Sequence, residues 1–87
     1  MDKTTLIEFP VSFPVKIMGK HDETFKDVIV TLVREQFPDI KDEAFQSKFS
    51  KDNKFESITA TVYAQSQAQL DKLYQTLTAC PRVLMVL

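Results

Sequence analysis

Features that many enzyme sites depend on are scarce in this chain of 87 residues. Gly19 is the single glycine, which excludes a glycine-rich phosphate loop of either the P-loop or the dinucleotide-binding type. Cys80 is the single cysteine, which excludes an internal disulfide and a set of thiolates for zinc or an iron–sulfur cluster. No stretch approaches the roughly 20 apolar residues that span a bilayer. We therefore expect no cofactor, no metal and no membrane contact.

An excess of charge of one sign is also missing. Eleven lysine and arginine residues oppose twelve aspartate and glutamate residues, which gives a formal net charge of −1. This balance lacks the basic footprint of a nucleic-acid-binding domain, so nucleic acid is a disfavoured partner. The N-terminus lacks the apolar segment of a secretory signal and Cys80 has no second cysteine, so we expect a cytoplasmic protein.

The length predicts one domain over residues 1–87, too small for a deep active site. Two early prolines favour extended backbone, which predicts an extended arm over residues 1–12 and a folded core over residues 13–87. The core opens on a strand, because Phe13, Val15 and Ile17 alternate with Pro14, Lys16 and Met18. We expect Gly19 to end this strand.

Apolar residues at spacings of three and four predict two amphipathic helices. The first covers about residues 22–37, because two acids suit its N-terminus and Pro38 ends it. The second follows a capping box, Ser66-Gln67-Ala68-Gln69, in which the serine hydroxyl serves a free backbone N–H and Gln69 reaches back to the cap.

Two strands and a polar turn are predicted between the helices. Residues 40–51 alternate but are weakly apolar, which is typical of an edge strand, and residues 50–54 suit a hairpin turn. Residues 55–64 place Ile58 and its alternate neighbours on a core side and polar side chains on the other. A last strand, residues 83–87, is apolar on both sides. The phenylalanines predicted to face the core are Phe13, Phe25, Phe37, Phe45 and Phe49.

The element order is strand, helix, strand, strand, helix, strand. With right-handed crossovers, this order predicts an α+β fold of the ferredoxin-like βαββαβ type, with two helices on one face of a four-stranded antiparallel sheet. The other sheet face is left open. We predict that ligand or partner binding uses this face and the loop after the first strand, through Lys16, Met18, Gly19, Ser57, Thr59, Thr61 and Tyr63.

Several short segments resemble those of one known family. They are Glu8-Phe9-Pro10, Phe13, Lys16-Ile17-Met18-Gly19, Phe55-Glu56-Ser57, Leu73-Tyr74 and Val83-Leu84-Met85-Val86-Leu87. Together they span almost the whole chain and resemble the YbeD-like family of small, uncharacterised bacterial cytosolic proteins. The resemblance implies a ferredoxin-like domain similar to the small-molecule-sensing ACT regulatory domains. It implies no activity, so it supplies no catalytic residues.

Residues with catalytic chemistry are few and poorly supported by their surroundings. His21, the only histidine, is interpreted as an exposed loop residue, because only its acidic neighbours in sequence offer partners. Cys80 is interpreted as a structural thiol, because the carbonyl end of a helix disfavours a thiolate. An acylphosphatase-like site needs an arginine in the loop after Gly19, and neither Arg34 nor Arg82 belongs to that loop.

The last strand carries the strongest association signal. Half of an apolar strand on an open sheet would remain uncovered, so Val83, Met85 and Leu87 are predicted to form a homodimer contact. An alternative is that the arm around Leu6, Ile7 and Phe9 folds over this surface.

These observations favour a non-enzymatic regulatory or adaptor module, similar to ACT domains, that binds a small metabolite or a partner protein. One alternative is an RNA-binding ferredoxin-like module that stacks bases on Phe55 and Tyr63. That alternative is weakened by the missing basic excess and the missing aromatic motif. A small enzyme built around His21 or Cys80 is the third hypothesis.

Overall fold

The structure, a computed structural model, describes residues 8–87. Its order is βαββαβ, and neighbouring strands of the four-stranded sheet, ordered β2-β3-β1-β4, pair antiparallel. The ferredoxin-like prediction is therefore confirmed. The elements are β1 (Val11–Lys20), α1 (Phe25–Gln36), β2 (Phe45–Phe49), β3 (Phe55–Ala64), α2 (Gln67–Thr78) and β4 (Val83–Val86), with a 3-10 turn at Asp42–Ala44 before β2.

The core lies between the helices and one sheet face. Alternate residues of β1 and β3 are buried, as the period-two pattern of each strand predicts. Every third or fourth residue of each helix packs against them. The fully buried large side chains are Phe25, Ile17, Ile29, Ile58, Leu70, Leu73, Leu77, Val15, Val33 and Val62.

The first strand is longer than predicted at both ends. β1 begins at Val11 and continues through Gly19 to Lys20, because each of its ten residues has a partner on β3. The predicted arm over residues 1–12 therefore overlaps the strand at its end. Leu6 and Ile7 lie outside the described residues, and Phe9 is partly buried against the core.

The helix starts illustrate two ways of satisfying free backbone N–H groups. α1 begins later than predicted, at Phe25, because the Asp22 carboxylate accepts from the Thr24 backbone N–H (2.8 Å) and holds a turn before the helix. At α2, the Ser66 hydroxyl accepts from the Gln69 N–H (3.2 Å), as predicted. The Gln69 side chain, however, accepts from the Gln65 N–H (2.7 Å) rather than from the cap residue itself.

The edge strand β2 is shorter than the predicted range 40–51, because the chain forms the 3-10 turn before Phe45. Its alternation is retained, since Phe45 is buried, but Phe49 is 51% exposed. Phe49 pairs with Glu56 at the last rung of the ladder, on a strand with one neighbour, so the core does not enclose its ring. The turn that follows contains Asn53 with φ 58°, a left-handed conformation that asparagine tolerates.

Among residues 8–87, no helix is long and apolar enough to cross a membrane.

Candidate functional site

The sheet surface opposite the helices, here called the open face, holds most of the predicted binding residues. Lys16 and Met18 lie on it from β1, because the alternate residues of that strand, Val15 and Ile17, are fully buried. Ser57, Thr59, Thr61 and Tyr63 lie on it from β3 for the same reason. Lys16 lies opposite Thr59, and Met18 lies opposite Ser57. The fold thus brings these six side chains together on one surface.

The open face is positively charged although the whole chain is not. Lys16 and Lys20 from β1 and Lys48 from β2 are exposed on it. None of the outward-facing residues of the described strands is an aspartate or glutamate, since Glu56, the one strand carboxylate, is buried on the core side. Three ammonium groups on strands that carry no outward-facing aspartate or glutamate favour an anionic partner.

Gly19 does not belong to this surface, which corrects the prediction. It is a buried residue within β1 on the helix side of the sheet, not a loop residue. A Cβ atom here would lie 2.5 Å from Cε1 of Phe25 and 2.6 Å from the carbonyl oxygen of Arg82. Glycine is required because the aromatic ring and the start of β4 both approach the backbone closely.

The last strand also departs from its predicted alternation. Met18 pairs with Met85, but the next residue of β1, Gly19, pairs with Val83, so Leu84 is bulged out of the ladder. Val83 and Val86 consequently pack against the core, and the predicted association set of Val83, Met85 and Leu87 is wrong for Val83.

Met85 and Leu87 do lie on the open face. Met85 is opposite Met18, and Leu87 exchanges two backbone hydrogen bonds with Lys16 (3.1 and 2.8 Å). Together with the bulged Leu84, they are 51–60% exposed. The open face therefore grades from an apolar end at β4 to a cationic and polar middle.

His21 has a partner that its position in the sequence does not suggest. Its Nδ1 lies 3.2 Å from Oε1 of Glu56, a β3 side chain that is only 4% exposed. Its ring also meets the Phe49 ring edge to face, with centroids 4.9 Å apart. When the imidazole has its proton on Nδ1, it donates to the carboxylate, which accepts. The pair lies at the end of the sheet next to the hairpin. His21 is an exposed residue outside the strands and helices, as interpreted from the sequence, but its partner is Glu56 and not an acidic neighbour in sequence.

Arg82 reaches the loop after β1, contrary to the expectation from sequence position. Its guanidinium lies 3.0 Å from the Asp22 carboxylate and donates to the Thr24 hydroxyl (2.8 Å). These contacts join the start of β4 to the start of α1. The guanidinium is thereby engaged by a carboxylate, which competes with any phosphate at this loop.

Groups that could hold a metal ion are not gathered anywhere in residues 8–87. That range contains no group of three or more histidine, cysteine, aspartate or glutamate side chains with metal-binding geometry. Cys80 is a free, partly buried cysteine.

Comparison with known proteins places the chain in a family. The model of DUF493, described as a protein of unknown function, matches residues 4–87. This chain belongs to the DUF493 family. A UPF0250 protein of Nitrosomonas europaea is 39% identical over 87 residues, covering 100% of both chains. A UPF0250 protein of Chromobacterium violaceum is 41% identical over 86 residues, covering 99% of this chain and 97% of its own. The YbeD-like resemblance is confirmed.

Two solved structures share the fold of this DUF493 protein. The solution structure of a small protein from H. pylori superposes with a TM-score of 0.76 at 20% identity, covering 98% of this chain and 89% of the other. The C-terminal domain of the MgtC protein from Mycobacterium tuberculosis superposes with a TM-score of 0.63 at 17% identity, covering 94% and 89%. These similarities concern the fold alone.

Sequence reasoning missed three of the residues that define the surfaces of this DUF493 member. The strand end predicted at Gly19 puts Lys20 in a loop instead of on the open face. The predicted edge strand contains Lys48, but its weak alternation does not assign this residue to the open face. Glu56 lies two residues before Ile58, so both side chains face the same side of β3. The alternation of this strand therefore predicts that the carboxylate is on the core side.

The His21–Glu56 pair makes one prediction for this family member. Replacing His21 by alanine leaves a buried carboxylate without its donor, so the free energy of unfolding should fall by about 1–3 kcal/mol. His21→Asn places an amide N–H near the position of Nδ1 and should lose less. Urea unfolding of both variants and the parent protein measures the difference. Equal stability of all three proteins would show that the contact contributes nothing.

The Asp22 carboxyl gives a prediction for acid. Hydrogen bonds from the Thr24 backbone and hydroxyl, with the nearby Arg82 guanidinium, lower its pKa from 3.8 to about 2. Because the folded pKa is lower than the unfolded one, the charge of Asp22 stabilises the fold above about pH 4, and this contribution disappears as pH falls through about 2. Asp22→Asn should therefore be less stable than the parent at neutral pH, and the gap should close between about pH 4 and 2. Urea midpoints across this range test it; a constant gap would contradict it.

Proposed function

We propose that this DUF493 protein is a non-enzymatic regulatory or adaptor module, comparable in role to ACT domains, that binds an acidic segment of a partner protein on its open face. The observation that carries the proposal is the charge of that face, where Lys16, Lys20 and Lys48 occur and none of the outward-facing residues of the described strands is an aspartate or glutamate. Such a surface in a chain of net charge −1 is a local feature that an anionic partner complements.

The apolar end of the open face supports a protein partner over a small metabolite. Met18, Met85 and Leu87 lie together next to the lysines, and the methionine side chains are flexible enough to adapt to a partner surface. A broad sheet face with an apolar side and a charged side resembles a protein interface, whereas small molecules bind mainly in concave sites. An amphipathic acidic segment would complement both the apolar side and the lysine side of the open face.

The RNA alternative is favoured by the lysines and by two exposed aromatic side chains on β3. Phe55 and Tyr63 are 44% and 58% exposed, but they stand eight residues apart on one strand. At about 3.3 Å per residue, the separation is roughly 26 Å, which is too far for stacking adjacent bases. β1 presents Lys16 and Met18 at the centre of the face instead of an aromatic platform. The proposal therefore gives RNA second place.

The enzyme alternative has one relevant observation, the His21–Glu56 pair. A carboxylate that orients an imidazole is half of a general-base arrangement. Here the imidazole packs edge to face against Phe49 and contacts Glu56, and neither of these partners is a serine, threonine or cysteine nucleophile. We therefore propose a structural role, not a catalytic one, for the His21–Glu56 pair.

A homodimer is the remaining candidate at the apolar end. A second copy would cover Leu84, Met85 and Leu87, which the monomer leaves exposed. Light scattering at tens of micromolar distinguishes the states, because one chain has a mass of 10.0 kDa. Twice that mass, lost in Met85→Glu, would assign this end to self-association.

Affinity capture from a lysate of a bacterium that encodes a DUF493 protein tests the proposal. The bait is the parent protein, the open-face variant Met18→Glu/Tyr63→Glu, or a matched helix-surface variant, Thr31→Glu/Gln75→Glu, whose positions are exposed on α1 and α2. We expect the open-face variant to lose an acidic protein that the other two retain. Equal retention by all three baits would exclude the open face as the docking surface.

A thermal-shift screen with amino acids, nucleotides and organic acids examines the metabolite version. Stabilisation by millimolar ligand, lost in the open-face variant but not in the helix-surface variant, would replace the protein partner by a small anion.

A further inference from the structure

The turn between β2 and β3, with the strand residues that flank it, forms an exposed end of the sheet. It covers residues 48–55 and is here called the hairpin tip. Seven of these eight residues are exposed, and the eighth, Ser50, is partly buried. The last rung between β1 and β3 is the pair of Lys20 and Phe55, so the turn at residues 50–54 extends past the end of that ladder. The hairpin tip therefore projects from the sheet instead of lining a cleft.

Side chains of the turn hold it in one conformation. The Ser50 hydroxyl accepts hydrogen bonds from the backbone N–H groups of Lys54 (3.2 Å) and Phe55 (3.0 Å). The Asp52 carboxylate accepts from the Ser50 hydroxyl (2.8 Å) and from the Lys54 N–H (3.1 Å). Asn53 completes the turn in the left-handed conformation. The Asp52 carboxylate is thus engaged by groups of the turn itself.

Four lysines surround the hairpin tip, against one carboxylate within it, that of Asp52. The lysines are Lys20, Lys48, Lys51 and Lys54, and all four are exposed. Within residues 8–87, none of them forms an ion pair with a carboxylate. The loop after β1 adds Asp22 and Glu23, but the Asp22 carboxylate is paired with Arg82. The charge of this end is therefore positive and favours an anionic partner.

Two phenylalanine side chains flank the turn on opposite sides of the sheet. Phe49 has the orientation of the buried Phe45, toward the helix side, and is 51% exposed beside the His21 ring. Phe55 has the orientation of Ser57, on the open face, and is 44% exposed. Exposed apolar side chains grouped with polar ones mark sites of contact with a partner or a membrane.

The shape of the hairpin tip and the placement of its two rings select the kind of partner. Small molecules bind mainly in concave sites, and a projecting turn offers none. A nucleic acid strand stacks successive bases on aromatic rings, which rings on opposite sides of a sheet do not provide. The interface of a lipid bilayer can surround a projecting turn and receive both rings. Such binding grows with the apolar area buried and with the attraction of lysines to anionic lipids.

We propose that the hairpin tip binds an anionic lipid surface, with both phenylalanine rings in the interfacial region and the four lysines at the headgroups. The prediction of no membrane contact came from the missing transmembrane segment, which a peripheral contact does not require. The inference goes beyond the proposed function, because it concerns lipids and a turn. Lys20 and Lys48 border both the hairpin tip and the open face, so the experiment changes Lys51 and Lys54 instead.

A tryptophan introduced at one position is a selective probe, because the chain contains none. The variants are Phe49→Trp and Phe55→Trp at the hairpin tip, with Tyr63→Trp near the other end of β3 as the matched control. Each is mixed at low salt with vesicles of phosphatidylglycerol and phosphatidylcholine in equal parts, or of phosphatidylcholine alone. We expect the mixed vesicles to shift the tryptophan emission of both hairpin-tip variants to shorter wavelength and to leave that of Tyr63→Trp unchanged.

Charge-reversed variants of the otherwise unchanged chain measure the contribution of the lysines. Lys51→Glu/Lys54→Glu should weaken co-sedimentation with the mixed vesicles at least about tenfold. Lys26→Glu/Lys72→Glu makes the same change in net charge on the exposed helix surface and should stay within about threefold of the parent. Equal weakening by the two variants would show that net charge alone, and not the hairpin tip, determines binding.

Other results would also overturn the proposal. They are an unchanged emission in Phe49→Trp or Phe55→Trp, an equal shift in Tyr63→Trp, and equal binding to vesicles of phosphatidylcholine alone. A single-stranded oligonucleotide that changes the Phe55→Trp emission when vesicles do not would assign the hairpin tip to nucleic acid. None of these results affects the proposed function, because the capture experiment compares baits that differ at Met18 and Tyr63.

Discussion

Replacing Gly19 by alanine is expected to destabilise the protein by about 1–3 kcal/mol or more, although the change adds one methyl group. The new Cβ would lie 2.6 Å from the Arg82 carbonyl oxygen, a backbone atom that cannot rotate away, and 2.5 Å from the Phe25 ring. An 87-residue domain has on the order of 4–13 kcal/mol of stability, so the loss is a large fraction of the total.

The measurement is urea unfolding, with Lys20→Ala as the control on the neighbouring, outward-facing residue. Lys20 is exposed, so its truncation should change the free energy of unfolding by about 0.5 kcal/mol or less. If Gly19→Ala were as stable as the parent, Gly19 would be free of the core and the loop interpretation made from the sequence would be restored.

Phe25→Ala is expected to lower the free energy of unfolding by about 3–5 kcal/mol, because the ring is fully buried and its removal leaves a cavity. Phe49→Ala is the matched control. The Phe49 ring is 51% exposed at the edge of the sheet, so the same truncation should cost much less. A similar loss at both positions would contradict the assignment of Phe25 to the core and of Phe49 to its margin.

The two sites should also be coupled. The Phe25 ring is one of the two groups that oppose a Cβ at Gly19, and the Arg82 carbonyl is the other. Gly19→Ala should therefore cost less in the Phe25→Ala background than in the parent, but it should still cost something. Strict additivity in a double-mutant cycle would show that the ring does not restrict residue 19.

The strands and helices were predictable where each residue's environment follows from a local period. The alternation of Val15, Ile17, Ile58 and Val62 predicts the buried side of β1 and β3 without knowledge of their partners. Ser66 marks the start of α2 because a cap uses groups within one turn.

The errors fall where the environment depends on distant parts of the chain. Glycine often ends strands, which predicts a strand end at Gly19. Glycine is instead required inside β1, because Phe25 of α1 and Arg82, the residue before β4, approach its backbone. The Leu84 bulge exists only in relation to the β1 ladder, so alternation within β4 could not reveal that Val83 turns inward.

The polar contacts of the candidate site show the same limit. His21 and Glu56 are 35 residues apart in sequence and meet because β1 and β3 pair along their full length. The charge of the open face likewise depends on strand order, which places Lys48 of β2 on the same surface as Lys16 of β1. Net charges summed over successive segments of the chain do not reveal such a surface, because its lysines come from different segments.

The central claim, that an acidic partner binds the cationic open face, is tested most directly by the Kd of the captured protein for two charge-reversed variants. Lys16→Glu/Lys48→Glu changes the open face, and Lys26→Glu/Lys72→Glu makes the same change in net charge on the exposed helix surface. We predict that the first variant weakens binding at least about 100-fold and removes most of its salt dependence, while the second stays within about threefold of the parent. Equal Kd values for the two variants would contradict the claim.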